Sequence, residues 1–378
     1  MPGMTFTLSR HPFGNVGMHI YLTAGLFIIV AITLMILVYV TAEPSSKDSS
    51  GTSHPKKLVE VPLEIQSRIR FISKTFGILW IIDGVLQLRD AMPSQFVASI
   101  IRPAFALAPP LLGSISHVAE TLWRLDPVKA DIGTSYVQLT IGVGLLLLKQ
   151  GQPWRIIVWL SIAWSLTIFA LGNGFGIFYT GANLATGAPS AILIYLFASI
   201  ELLKLGNCYK LTASTKRIGR FLGTYFLLGT LLSALPTEGF WTSNAYYQMI
   251  VGMARTKQPL IITGLLNAGA SLVKNNGPYV NVFLVVSGAT VAMMLYLIPG
   301  RRATGVAVAS ISALMWIFIQ DFGVFSPTGT DFNAGLPIIL MAISLSVGSK
   351  EIDGNLALEP ELKGFSSQKA TKTSLTAL

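Results

Sequence analysis

Asp83 interrupts the apolar run Ile78-Leu79-Trp80-Ile81-Ile82, and Gln87 follows it four residues later. In a helix, Asp83 and Gln87 share one face, and Trp80, three residues before Asp83, lies on it too. A carboxylate inside an apolar segment costs roughly 2.5–3.5 kcal/mol on insertion scales, so such a residue finds a partner or serves a function. Two chemistries are open. Trp80, Asp83 and Gln87 can form a ligand or proton site facing the interior of a helix bundle. Alternatively, Asp83 makes a structural ion pair or hydrogen bond with a neighbour such as Arg89 or Arg102.

Two further clusters carry polar groups. His117, Glu120 and Arg124 are three and four residues apart beside Trp123, which places them on one stripe of a helix over 111–124. The stripe is a ligand contact or the wet side of an interfacial helix. Gln320-Asp321 and its counterpart Asn173-Gly174 each precede a Phe-Gly-X-Phe motif, and the Gly-rich turns that follow carry Tyr179, Asn183, Thr186, Asp331 and Asn333. Helix capping accounts for most of these. The candidate ligand-binding set is therefore Trp80, Asp83, Gln87, His117, Glu120, Arg124 and Asp321. The charge pattern below puts all of it on one side of a membrane, which points to an extracytoplasmic pocket.

Other chemistries lack residues. The histidines, His11, His19, His54 and His117, form no spaced pair within one apolar run, so a bis-histidine haem or a zinc or copper site has no ligand set. Cys208 is the sole cysteine, which excludes an intrachain disulfide and iron–sulfur ligation. No phosphate-binding Gly-rich loop or nucleophile elbow is present. Met249 and Met253, four apart, read as packing rather than copper ligands. No resident cofactor and no metal are expected.

The elements that must hold these residues are membrane helices. Hydrophobic residues make up 52% of the 378 and charged residues only 12%, against about 25% charged in soluble domains; the mean hydropathy is +0.62. Apolar runs fall at 18–42, 71–90, 133–149, 156–172, 188–205, 221–235, 279–298, 303–320 and 335–348. Backbone groups in lipid must bond internally, so these predict about nine transmembrane helices in an all-α polytopic fold. The first run is too long for a cleaved signal peptide and no small-residue cleavage site follows it.

The chain also says one thing twice. Phe175-Gly176-Ile177-Phe178, Thr180-Gly181 and Gly187-Ala188-Pro189 recur as Phe322-Gly323-Val324-Phe325, Thr328-Gly329 and Gly335-Leu336-Pro337, at offsets of 147 residues for the first motif and 148 for the last. This predicts an N-terminal helix and cytoplasmic linker (1–70), a four-helix repeat (71–205), a second four-helix repeat (206–349) and a disordered tail (350–378). With an even number of spans per unit, the two copies insert the same way up. Each unit has a long connection after its first span, 93–132 and 236–278. Within the first, 95–108 and 111–124 are expected as short helices, lying in the interface or dipping into the bundle.

Basic residues orient the bundle. Alternate connections hold 18 of the 27, and the turns at 173–187 and 321–334 hold none. The positive-inside rule then puts the N-terminus outside and the C-terminus in the cytoplasm. The net charge of +10 thus reads as a topology signal with contacts to membrane lipids, and nucleic acid is not expected as a partner.

The segments Leu79-Trp80-Ile81-Ile82-Asp83-Gly84-Val85-Leu86-Gln87, Met92-Pro93, Gly174-Phe175-Gly176-Ile177-Phe178-Tyr179-Thr180-Gly181 and Thr186-Gly187-Ala188-Pro189 resemble an uncharacterised family of bacterial polytopic membrane proteins, most clearly over 71–205. More loosely, each four-span unit resembles the DoxX-like fold, some members of which are membrane subunits of thiosulfate:quinone oxidoreductases. The resemblance implies the cytoplasmic membrane of a bacterium or archaeon, other membrane-protein subunits as partners, and quinone as an associated cofactor. It carries over no catalytic residue. Three functions follow as expectations: an accessory or structural subunit of a larger redox complex, a small-molecule or ion transporter, and a quinone-linked oxidoreductase with Asp83 as proton acceptor and Trp80 against the ring.

Overall fold

The structure, a computed structural model, describes residues 62–206, 210–235, 240–256 and 258–347. The apolar run at 18–42, the linker up to 61, His11, His19, His54, Cys208 and the tail lie outside the described residues. Within them, every regular element is a helix: α1 (Leu63–Gln87), α2 (Met92–Phe96), α3 (Pro110–Leu125), α4 (Pro127–Leu147), α5 (Gln152–Thr167), α6 (Ile192–Leu205), α7 (Leu211–Ala234), α8 (Ala245–Ala254), α9 (Leu260–Val273), α10 (Gly277–Leu297), α11 (Arg302–Phe318) and α12 (Gly335–Ser344). Two of them run on in a widened π-helical turn, α2 through Val97–Ile101 to a last turn at Arg102–Ala104, and α5 through Ile168–Gly172.

The all-α expectation is met, and each apolar run from 71 onward coincides with a helix. The number of spans is less settled by length. Helices α4, α10 and α5 with its π turn are long and apolar enough to cross a membrane; α1 with α2, bent by 91°, makes a fourth if that pair is one span. The run at 188–205 forms only the 14 residues of α6, and the run at 335–348 only the 10 of α12, short of the roughly 20 that a span needs. The Gly-rich turns ahead of them account for the difference. Their backbone leaves helical geometry, with Phe175 at φ 59° and Phe322 at φ 57°. Gly176, at φ 70° against the Pro189 carbonyl, has no room for a side chain.

Helix α4 also corrects a boundary. It begins at Pro127 rather than near 133, because the Asp126 side chain accepts from the Lys129 backbone N–H at 3.1 Å and Pro127 occupies the first turn. Asp131 therefore lies inside the helix and not in the connection. The short helices expected over 95–108 and 111–124 are found as α2 with its extension and as α3.

Packing follows one scheme in both halves. Helix α1 lies along α4 and α7 along α10, while α5 pairs with α6 and α11 with α12. Small residues set the first two crossings. A Cβ on Gly142 would stand 2.7 Å from the Gly77 carbonyl, and one on Gly219 2.7 Å from the Leu295 carbonyl, so these backbones nearly touch.

Each half also seats its Gly-rich turn against the first helix of the other. The Leu184 N–H donates to the Gly229 carbonyl at 3.1 Å, and the Tyr225 hydroxyl to the Gly187 carbonyl at 2.6 Å. Conversely, the guanidinium of Arg89, just past the end of α1, donates to the Val324 and Ser326 carbonyls. The irregular backbone is thereby satisfied within the protein, the condition for non-helical chain at membrane depth.

At the opposite end, polar groups join the halves. Arg68, fully buried, donates to Ser214, Thr215 and the Leu345 and Val347 carbonyls at 2.9–3.1 Å. Arg217 of α7 forms a two-point ion pair with the fully buried Glu201 of α6, at 2.7 and 2.8 Å.

Candidate functional site

A cavity of about 280 Å³ opens in the first half near the C-terminal end of α1. Trp80, Asp83 and Gln87 of α1 lie on its wall, on the shared face that their spacing predicted. Trp80 is fixed by its indole N–H, which donates to Ser161 at 3.1 Å; Ser161 in turn bonds Ser199 at 2.8 Å. Tyr195 of α6 packs edge-on to Trp80 with ring centroids 4.9 Å apart. Opposite, Phe96 stacks on Trp123 at 3.9 Å. Both π-helical turns reach the cavity, through Ile100 and Ile101 and through Ile168 and Leu171. Such widened turns recur at functional sites, because the extra residue per turn re-aims the side chains.

Buried polar atoms around this cavity include Gln138 Oε1 and Trp164 Nε1, which have no hydrogen-bond partner, and the Asp83 carboxyl, whose neighbouring donor is the Tyr195 hydroxyl. Asp83 is only 4% exposed, Gln138 4% and Tyr195 2%. Buried polar groups are nearly always paired, since an unpaired one costs about 1–3 kcal/mol. The convergence of buried polar groups on one apolar chamber makes it the candidate ligand site.

Neither arginine considered as a partner for Asp83 plays that part. Arg89 is bound to the 324–326 carbonyls, and Arg102 pairs with Glu120 at 3.1 Å. The acid that does approach comes from the other half. Asp331, in the turn before α12, lines the cavity with Thr330, and its charge couples to that of Asp83. Burial pushes the Asp331 carboxyl up from its ordinary range.

The remaining candidates lie elsewhere. His117 and Arg124 are on the exposed face of α3, with Glu120 between Arg102 and Arg124 at 3.1 and 3.4 Å. The opposite face of α3, through Ala119 and Trp123, supplies the cavity wall. Asp321 lines an adjacent cavity of about 450 Å³ with Gln320 and Asp331. Burial raises its carboxyl to about 6. The capping role expected of the turn residues is replaced by internal ties. Neither α6 nor α12 has a side-chain N-cap bond. Instead Asn183 Oδ1 accepts from the Thr186 N–H at 2.9 Å, and Asp331 Oδ1 from the Asn333 N–H at 2.6 Å. Gln320 bridges the halves, donating to the Ala185 carbonyl at 2.9 Å and accepting from the Gly335 N–H at 3.0 Å.

Asp131 was missed by sequence reasoning. It is fully buried, accepts from the Gln87 amide at 2.9 Å and leaves its second oxygen unpaired. The signal was present: Asp131, Ser135 and Gln138 form an i, i+4, i+7 stripe, and all three are buried. Placing the start of the run at 133 hid it.

The Glu120 pair yields a test by pH. Its arginine neighbours, Arg102 first, hold the Glu120 carboxyl below its usual range. A depressed carboxyl stabilises the fold above the unfolded-state value, and that stability is lost as pH falls through the folded-state value. Protease protection of the α2–α3 connection is expected to decline between about pH 5 and 3. In Glu120→Gln that pH dependence should be absent; if it persists, the pair is not its origin.

Comparison of the chain with protein-family models, with curated proteins and with solved structures returned no match in any of the three, so the site is read from its own geometry. Fold and site together define an all-helical protein, with helices long and apolar enough to cross a membrane, that encloses a small aromatic-walled cavity.

Proposed function

We propose that this is an integral membrane protein of the cytoplasmic membrane of a bacterium or archaeon, built from two parallel four-helix repeats of DoxX-like type plus an N-terminal helix. It binds a small amphipathic molecule in the outer cavity, as an accessory subunit of a larger membrane complex. The unpaired polar atoms of Gln138 and Trp164, with the buried Asp83 carboxyl beside the Tyr195 hydroxyl, around one apolar chamber carry this reading. The common pairing scheme of the two halves and their exchanged turns support the duplication. Outward-facing Val282, Phe283, Val286 and Met293, each about half exposed, give α10 a lipid-facing stripe. Native purification with mass spectrometry and lipid extraction tests the proposal. A stoichiometric partner and a retained small molecule are expected, and a protein isolated alone and empty would overturn it.

A carrier is the second reading, favoured by the position of Asp83 and Asp331, which bring both halves to one cavity. Uptake into proteoliposomes would replace the subunit reading with it. Quinone is a third occupant consistent with Trp80 beside Asp83, and would appear in the lipid extract.

Topology is tested by labelling single cysteines in a Cys208→Ser background. An impermeant thiol reagent applied outside should reach a cysteine at exposed Ile177 and spare one at exposed Gln152 or Thr212. The reverse pattern would invert the orientation.

A further inference from the structure

We propose that the cavity takes a monovalent organic cation, an ammonium on an apolar body, held by the Asp83 carboxylate with Asp331 beside it. The inference rests on the reading above that the cavity is a small-molecule site. Its lining carries two acids, Asp83 and Asp331, and no Lys, Arg or His. An anion would find no basic group there to balance its charge. Around the acids stand the rings of Trp80, Trp123, Trp164 and Tyr195. Aromatic faces attract cations, most strongly where water is excluded, and quaternary ammonium groups are recognised by such cages. The 4% exposed Asp83 has only the neutral Tyr195 hydroxyl as a neighbouring donor and lacks the basic side chain that usually accompanies a carboxylate at this depth. A metal ion is poorly matched, since no group of three His, Cys, Asp or Glu occurs among the described residues.

The other half supplies an internal comparison. On the register set by Thr180-Gly181 with Thr328-Gly329 and by Gly187 with Gly335, an offset of 148, Asp331 corresponds to Asn183. Gly229 lies 146 residues after Asp83. The two acids of this cavity are therefore matched in the other half by an asparagine and a glycine, neither of them charged. Packing alone does not require acids at this place, so their presence points to a charged occupant.

Benzyltrimethylammonium and its neutral isostere neopentylbenzene have the same shape and differ by one charge, and they test the inference directly. Tryptophan fluorescence of the purified full chain in detergent reads binding, since Trp80, Trp123 and Trp164 line the cavity. The cation should bind at least about tenfold more tightly than the isostere. Asp83→Asn should reduce that preference to near unity while leaving neopentylbenzene binding in place. Asp331→Asn should reduce it in part, and serves if Asp83→Asn fails to fold. Equal affinity for cation and isostere would overturn the cation inference and leave the small-molecule site standing. Tighter binding of duroquinol or phenylacetate than of the cation would also overturn it. Absence of binding by all four probes would sink the small-molecule reading as well.

Discussion

Glu201→Ala is expected to destabilise the protein by about 3–5 kcal/mol, because it leaves charge buried without a counter-ion. Glu201 is fully buried and accepts both arms of the Arg217 guanidinium, whose side chain is 24% exposed. Arg68, also fully buried, is held otherwise by carbonyls and hydroxyls, and Glu201 supplies a compensating charge to it. Removing the carboxylate takes the counter-charge from the fully buried Arg68 and breaks the two-point pair of Arg217 at the junction between the halves. Replacing both members of the pair, Glu201→Leu with Arg217→Met, should recover roughly half of the loss or more, since a buried pair exchanged for apolar side chains is often near neutral. Equilibrium unfolding in detergent measures both. A single variant within about 0.5 kcal/mol of the parent would show that the pair does not hold the halves together.

Gly142→Val should be comparably damaging by a different route. The added Cβ meets the Gly77 carbonyl at 2.7 Å and the Ile81 N–H at 2.8 Å. Both are backbone, so no rotamer change relieves the clash and α1 must move away from α4. Overpacking typically costs about 1–3 kcal/mol, and the upper end or beyond is expected where backbone is the obstacle. Separation of α1 from α4 also opens the cavity, so ligand binding should fall with stability. Gly133→Ala, on the exposed face of the same helix with nothing within 4 Å, is the control. It should hold or gain up to about 1 kcal/mol through helix propensity. If the two variants behave alike, the crossing is not set by the glycine contact.

Much of the site was legible along α1, because helical spacing is a local property. Trp80, Asp83 and Gln87 fall on one face wherever the helix goes, and an acid among isoleucines announces itself by its insertion cost. The stripe His117, Glu120, Arg124 was legible as a stripe and not as to its direction. The partner of a helical face depends on what packs against α3, and there Ala119 and Trp123 won the inward side. Asp131 was obscured by a boundary, since hydropathy begins where the apolar residues do, whereas the helix begins at the Asp126 cap.

The amino-acid sequence by itself determined the all-helical class, the helix-forming runs from 71 onward, the Asp83 face and the two copies of the Gly-rich motif. Each of these follows from composition or from spacing within a few turns. Only the tertiary structure decided that the turns are exchanged between the halves, that Asp331 reaches the cavity of the first half, and that Arg89 and Arg102 are engaged elsewhere. Those outcomes depend on contacts beyond the reach of helical spacing, from Tyr225 with Gly187, 38 positions apart, to Arg89 with Val324 and Ser326, more than two hundred apart. No local pattern encodes them, because they are set by which backbones can approach closely enough at Gly77 and Gly142, and by which buried polar groups find partners once they do.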